Sequence, residues 1–149
     1  MNKLPHANSF SELLVYQKSR WLSCEIFELT KSFPREEMYS LTDQIRRSSR
    51  SIGAQIAEAW AKRRYEKHFI SKLTDADREQ QETQHWMEID ADCGYFSSDE
   101  IEKLIQKCGE IGRLLGGMIA KSSLFCGNPN HTIRETTSDY FTNPATDYE

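Results

Sequence analysis

Seven cations stand close together in one stretch of this chain: Arg46, Arg47, Arg50, Lys62, Arg63, Arg64 and Lys67. Lysine and arginine hold phosphates without regard to base sequence, and the affinity they supply falls steeply with salt. From Arg46 to Lys72 eight Lys/Arg are set against Glu58 and Glu66, a net of +6. From Leu73 to Glu100 nine Asp/Glu are set against Arg78 alone, a net of −8. The 149 residues together carry a formal charge of −4, which hides this asymmetry. A local basic segment is what nucleic-acid binding requires. The competing reading has the two segments neutralise one another across a helix pair, with Arg47 and Glu58 as a structural pair on one side of a helix.

Other residues point to chemistry more weakly. Glu82 and His85 match the Glu-x-x-His spacing of di-metal carboxylate proteins. Such a centre needs a second pair and two further glutamates, and no glutamate stands three residues before His6, His68 or His131. Glu82 is therefore expected to accept from an arginine and His85 to lie at the surface, with no metal and no cofactor. Trp60 beside the cations has the ring that single-strand binders use to stack bases, yet a Trp at the end of a helix is expected to pack. The chain has no Gly-rich phosphate loop, nucleophile elbow or catalytic Cys/His spacing, which argues against an enzyme. Cys24, Cys93, Cys108 and Cys126 are singletons and read as free thiols of a cytoplasmic protein. Nothing resembles a signal peptide or the roughly 20 apolar residues of a membrane span, so no membrane partner is expected.

These side chains must be positioned by helices. All four prolines (Pro5, Pro34, Pro129, Pro144) lie outside the periodic segments, which leaves long helices uninterrupted. A first helix is expected from about Ser9 to Ser32, with a stripe of Leu14, Val15, Trp21, Leu22, Ile26 and Leu29. A second is expected from about Arg35–Glu37 to Arg64, turning Met38, Leu41, Ile45, Ser48, Ile52, Ile56 and Ala59 inward. A third is expected from Tyr65 to Cys93 and stops at Gly94. Its stripe is Phe69, Leu73, Ala76, Gln80, Thr83, Met87 and Ala91. A fourth opens with a capping box at Ser97 and Glu100 and carries Ile101, Leu104, Ile105, Cys108, Ile111, Leu115, Met118 and Ile119. The expected architecture is an all-α, antiparallel up-down-up-down four-helix bundle at 9–126. An N-terminal arm at 1–8 precedes it, and a polar, flexible C-terminal tail at 127–149 follows. Tyr140, Phe141 and Tyr148 are the tail's apolar handles; the readings open for it are disorder or docking onto a neighbouring subunit.

Small residues beside the second helix's core stripe (Ser51, Gly53, Ala54 and Ala57) let another backbone come close. They are the expected oligomer interface. FSELLVYQKSR, then FPREEMYSLTDQIRRSSRSIGAQIAEAW, then the Glu82-Thr83 pair resemble the bacterial four helix bundle protein family. Its members are encoded in intervening sequences of large-subunit ribosomal RNA genes and elsewhere; the accessory variability determinant of diversity-generating retroelements is a relative. The resemblance covers about Phe10 to Leu124. It implies a ring-like pentamer and, through the retroelement relative, a basic surface that engages nucleic acid and a reverse transcriptase. Departures from the family pattern fall at Gly53, Gln55, Ala59 and Asp77-Arg78. Two functions are thus expected to compete. One is a non-enzymatic adaptor that binds RNA or DNA through the Arg46–Lys67 strip. The other is a protein-binding scaffold that spends those arginines on internal and subunit contacts.

Overall fold

The computed structural model describes residues 9–127 and 139–142. The expected arm at 1–8 and most of the expected tail lie outside the described residues. Among the described residues the order is a 3-10 turn at Phe10–Glu12, α1 (Leu14–Thr30), a 3-10 turn at Arg35–Glu37, α2 (Leu41–Ala61), α3 (Glu66–Cys93), α4 (Ser98–Ala120) and a short α5 (Ser122–Phe125). The protein is all-α.

Local chemistry explains where these helices stop and start. Gly94 closes α3 in the left-handed conformation at φ 76°, which glycine adopts without steric cost. Ser97 Oγ accepts from the Glu100 amide while the Glu100 carboxylate accepts from the Ser97 amide, so the capping box forms. α2 begins later than its apolar pattern suggests. Ser40 has φ −126° and ψ −108°, outside helical geometry, and the preceding turn swings Met38 into solvent rather than into the core.

The four long helices share one core. Leu22 and Ile26 meet Ile45, Ile52 and Ile56, and Phe69, Leu73, Leu104, Ile111 and Leu115 close it, all at 0% exposure. Burial at this scale contributes roughly 1.5–3 kcal/mol per side chain. Polar pairs show how neighbours run. Arg47 meets Glu82 while Glu58 meets Lys72, so the residue number rises along α2 as it falls along α3. Lys18 meets Glu110 while Glu25 meets Lys107 across α1 and α4. Inside, the hydroxyls of Ser48 and Thr83 stand 2.9 Å apart, which satisfies two polar groups where the stripe is not apolar.

Two inward positions differ from the sequence pattern. Trp21 is half exposed; Ser19 and Thr30 take places in the α1 stripe instead. On α3 the last inward position is Asp90, and Ala91 is exposed. After Thr83 and Met87, a helix of 3.6 residues per turn returns to the same face better by a three-residue step than by another four.

The described part of the C-terminal segment packs against its own chain. Thr142 donates its amide to the Glu12 carbonyl at 2.9 Å, and Phe141 forms a bridge with Leu13. Tyr140 is buried edge-on to Phe125. Gly117 makes room for it. A Cβ there would overlap the Tyr140 hydroxyl and stand 3.1 Å from its Cζ.

Candidate nucleic-acid interface

The seven cations do not form one strip. They divide along α2 into a group near its start and a group at the α2–α3 turn, about 18 Å apart at 1.5 Å per residue between Arg50 and Lys62. Near the start, Arg46 is turned towards α1. Its Nε donates to Thr30 Oγ1 at 2.8 Å, and its guanidinium lies 4.7 Å from the centre of the Phe27 ring. Arg50 approaches the same ring at 5.4 Å. Arg47 points the other way and pairs with Glu82 at 2.7 Å. The anticipated pairing of Arg47 with Glu58 does not form. Glu58 lies about three turns further along α2 and meets Lys72 at 3.0 Å. These bridges are largely solvated, so each is worth under about 1 kcal/mol.

At the turn, Lys62, Arg64 and Lys67 are exposed and have no carboxylate within ion-pair distance among the described residues. Arg63 is different. It lies over the Trp60 ring at 3.5 Å and donates to the Trp60 carbonyl at 2.9 Å. Burial lowers its pKa, though an arginine remains charged at any ordinary pH. Trp60 is itself buried, with Phe141 edge-on at 6.5 Å. It packs, as expected of a Trp at a helix end.

Only the cations of the α2–α3 turn lie far from the acidic end of the molecule; Arg46, Arg47 and Arg50 stand near the start of α2, and Asp75, Asp77 and Glu79 lie in the half of α3 nearer the turn. α3 runs roughly 40 Å from the Lys62–Lys67 end to an end where Glu36 and Glu37 lie near Tyr95 of the aromatic cap of Phe33, Tyr95 and Phe96, with Asp92 in the last turn of α3 and Asp99 in the first turn of α4. Neutralisation across the α2–α3 pair rests on Arg47–Glu82 and Glu58–Lys72.

Residues 11–117 match the family model of the 23S rRNA-intervening sequence protein. The chain belongs to that family. It is also similar to a solved structure from Bacteroides thetaiotaomicron, described as a protein of unknown function from the S23 ribosomal protein family. The two are 32% identical, with a TM-score of 0.66 over 72% of this chain and 96% of that one. No curated protein matches.

The residues matched by the family include both cationic groups; the docked Asp139–Thr142 segment lies beyond them. The four small residues of α2 are also separated by the fold. Gly53 is buried, facing Ser19 and Tyr16 of α1. It serves an intramolecular helix contact rather than an outer face, because the flank beside a core stripe is covered by the next helix. Ala54 is exposed, and Ser51 and Ala57 are half-buried. Glu82 accepts from Arg47, and exposed His85 lies tilted against the Trp86 ring at 4.8 Å, so the Glu-x-x-His pair is not directed at a common point. All four cysteines are free. Burial pushes Cys108 up to about 12 and Cys126 up to about 11, which leaves both as unreactive thiols. Among the described residues no helix is long and apolar enough to cross a membrane.

One feature of the surface had no signature in the sequence. Met38, Tyr39, Thr42, Asp43, Arg46, Arg47, Arg50, Ser51 and Ala54 line a groove of about 560 Å³ beside the start of α2. The Arg35–Glu37 turn and the late start of α2 create it, and neither follows from apolar periodicity.

Proposed function

We propose that this protein is a non-enzymatic, homo-oligomeric adaptor that binds nucleic acid, with its principal phosphate contacts at the α2–α3 turn. The observation that carries this reading is the set of exposed cations without carboxylate partners at the turn, Lys62, Arg64 and Lys67, with exposed Arg50 further back along α2. Charges already neutralised within the chain release few counterions from a nucleic acid; free ones release the most. The family description, which names ribosomal RNA, is consistent with such a partner. The pairing of neighbouring helices supports an antiparallel up-down-up-down bundle. We further propose a pentamer and a cytoplasmic setting beside a ribonucleoprotein or a reverse transcriptase.

A second reading has a specific observation behind it. Arg46 and Arg47 are held by Thr30, Phe27 and Glu82 of their own chain, as a protein-binding scaffold would have them. The two readings separate in one titration. The adaptor retains single- or double-stranded RNA at ~50 mM salt and loses it towards ~200 mM. Replacing Lys62, Arg64 and Lys67 together by Ala lowers affinity at least tenfold with the helical signal and the assembly mass unchanged. Absence of any RNA or DNA binding at the lower salt overturns the adaptor and leaves the scaffold.

A further inference from the structure

We propose that the groove at the start of α2 is a pocket for one unpaired nucleotide, so that the strand this protein binds is single-stranded. The inference rests on the nucleic-acid reading above and adds a substrate class to it. Two guanidinium groups share one wall. Arg46 and Arg50 stand over the same Phe27 ring at 4.7 and 5.4 Å, and neither has a carboxylate partner among the described residues. The ring and the neutral Thr30 hydroxyl hold Arg46 in place without cancelling its charge. Like charges held side by side in this way favour an anion between them, and a phosphate matches the guanidinium fork. Asp43 also lines the groove but forms an ion pair with neither arginine.

The other wall is apolar and aromatic. Tyr39 is 90% exposed at the mouth, with Met38 beside it. The short turn before α2 holds this ring clear of the core, where it packs against no other aromatic ring among the described residues. An aromatic face in solvent, next to phosphate-binding cations, is the platform on which unpaired bases stack. Thr42, largely buried, also lines the groove. The volume of about 560 Å³ falls within the range of small-ligand sites. A duplex keeps its base faces stacked inside and cannot offer one to Tyr39.

Anisotropy titrations with a labelled single-stranded RNA oligomer and with its duplex at ~50 mM salt test this. The single strand should bind more tightly than the duplex. Tyr39→Ala should weaken the single strand about tenfold, leave the duplex unchanged, and be rescued by Tyr39→Phe, which keeps the ring. Because Tyr39 is so exposed, the Ala variant should keep the wild-type circular dichroism spectrum. If Tyr39→Ala leaves single-strand affinity intact, or the duplex binds as tightly, the pocket is wrong while the phosphate contacts at the turn stand. If Tyr39→Ala instead changes the mass by light scattering and not the RNA affinity, the groove is a contact between copies and the inference fails. Failure of both RNAs to bind would overturn the adaptor reading and this inference together.

Discussion

At the scale of single residues, Asp90 is the group most at odds with its surroundings. It has 0% exposure and neither carboxylate oxygen has a partner. Burial, and then the negative charge of Glu37, pushes its pKa from 3.8 up to about 7. Below pH 3.8 the folded and unfolded chains both hold the proton. As pH rises towards 7 the unfolded chain releases it and the folded chain keeps it, so stability falls; beyond the folded pKa the loss levels off. Asp90→Asn should remove this slope. Between about pH 5 and about pH 8 the wild type should lose roughly 2 kcal/mol more than the variant in urea unfolding. Equal losses would show that Asp90 is ionised throughout. The sequence marked this end of α3 as inward-facing, but it pointed to Ala91, and no pattern of types predicts a carboxylate left without a partner. The arginines teach the same lesson. Their types announced a charge, while their individual roles were set by what stood across from them: Glu82 for Arg47, Phe27 for Arg46 and Arg50, Trp60 for Arg63.

At the scale of elements, periodicity located all four long helices, and the local signals at Ser97 and Gly94 placed two of their ends. The failures fell where a non-local contact decides. α2 starts at Leu41 because the turn from Arg35 to Ser40 must reach across the end of the molecule. The flank of α2 that holds Gly53 belongs to α1. The segment Asp139–Thr142 docks on α1, α4 and α5 through Tyr140 and Phe141, with Lys121 over the Tyr140 ring at 5.3 Å. The notch at Gly117 is essential to that docking. Gly117→Ala should raise intrinsic helix stability by about 1 kcal/mol, yet displace Tyr140. Hydrogen exchange at the Thr142 amide, now bonded to Glu12, should then lose its protection while the α2 and α3 amides keep theirs. Unchanged protection at Thr142 would mean that the segment is held without the tyrosine.

At the scale of the whole molecule, the reversal of chain direction between α2 and α3 places the basic turn at one end and the acidic Glu36–Glu37 turn, with the end of α3 and the start of α4, at the other. A particle with this polarity presents one face to a polyanion although its net charge is −4, because charges more than about 10 Å apart are largely screened from one another at ordinary salt. Assembly of five chains around an axis would repeat the basic surface five times. Light scattering at micromolar concentration should return about five times the chain mass, unchanged in the Lys62, Arg64 and Lys67 triple variant. A monomer mass would remove the pentamer and the repeated surface alike.

The sequence by itself determined the all-helical class, the four long segments and a local excess of cations, since each depends on residue types at short spacing along one chain. Tertiary structure alone decided which of those cations remain free, that Gly53 and Gly117 accommodate side chains of their own chain, and that a groove opens beside Tyr39. Each of these depends on what a different element brings opposite, and the distance across a helix pair is not written in the spacing of residues along either helix.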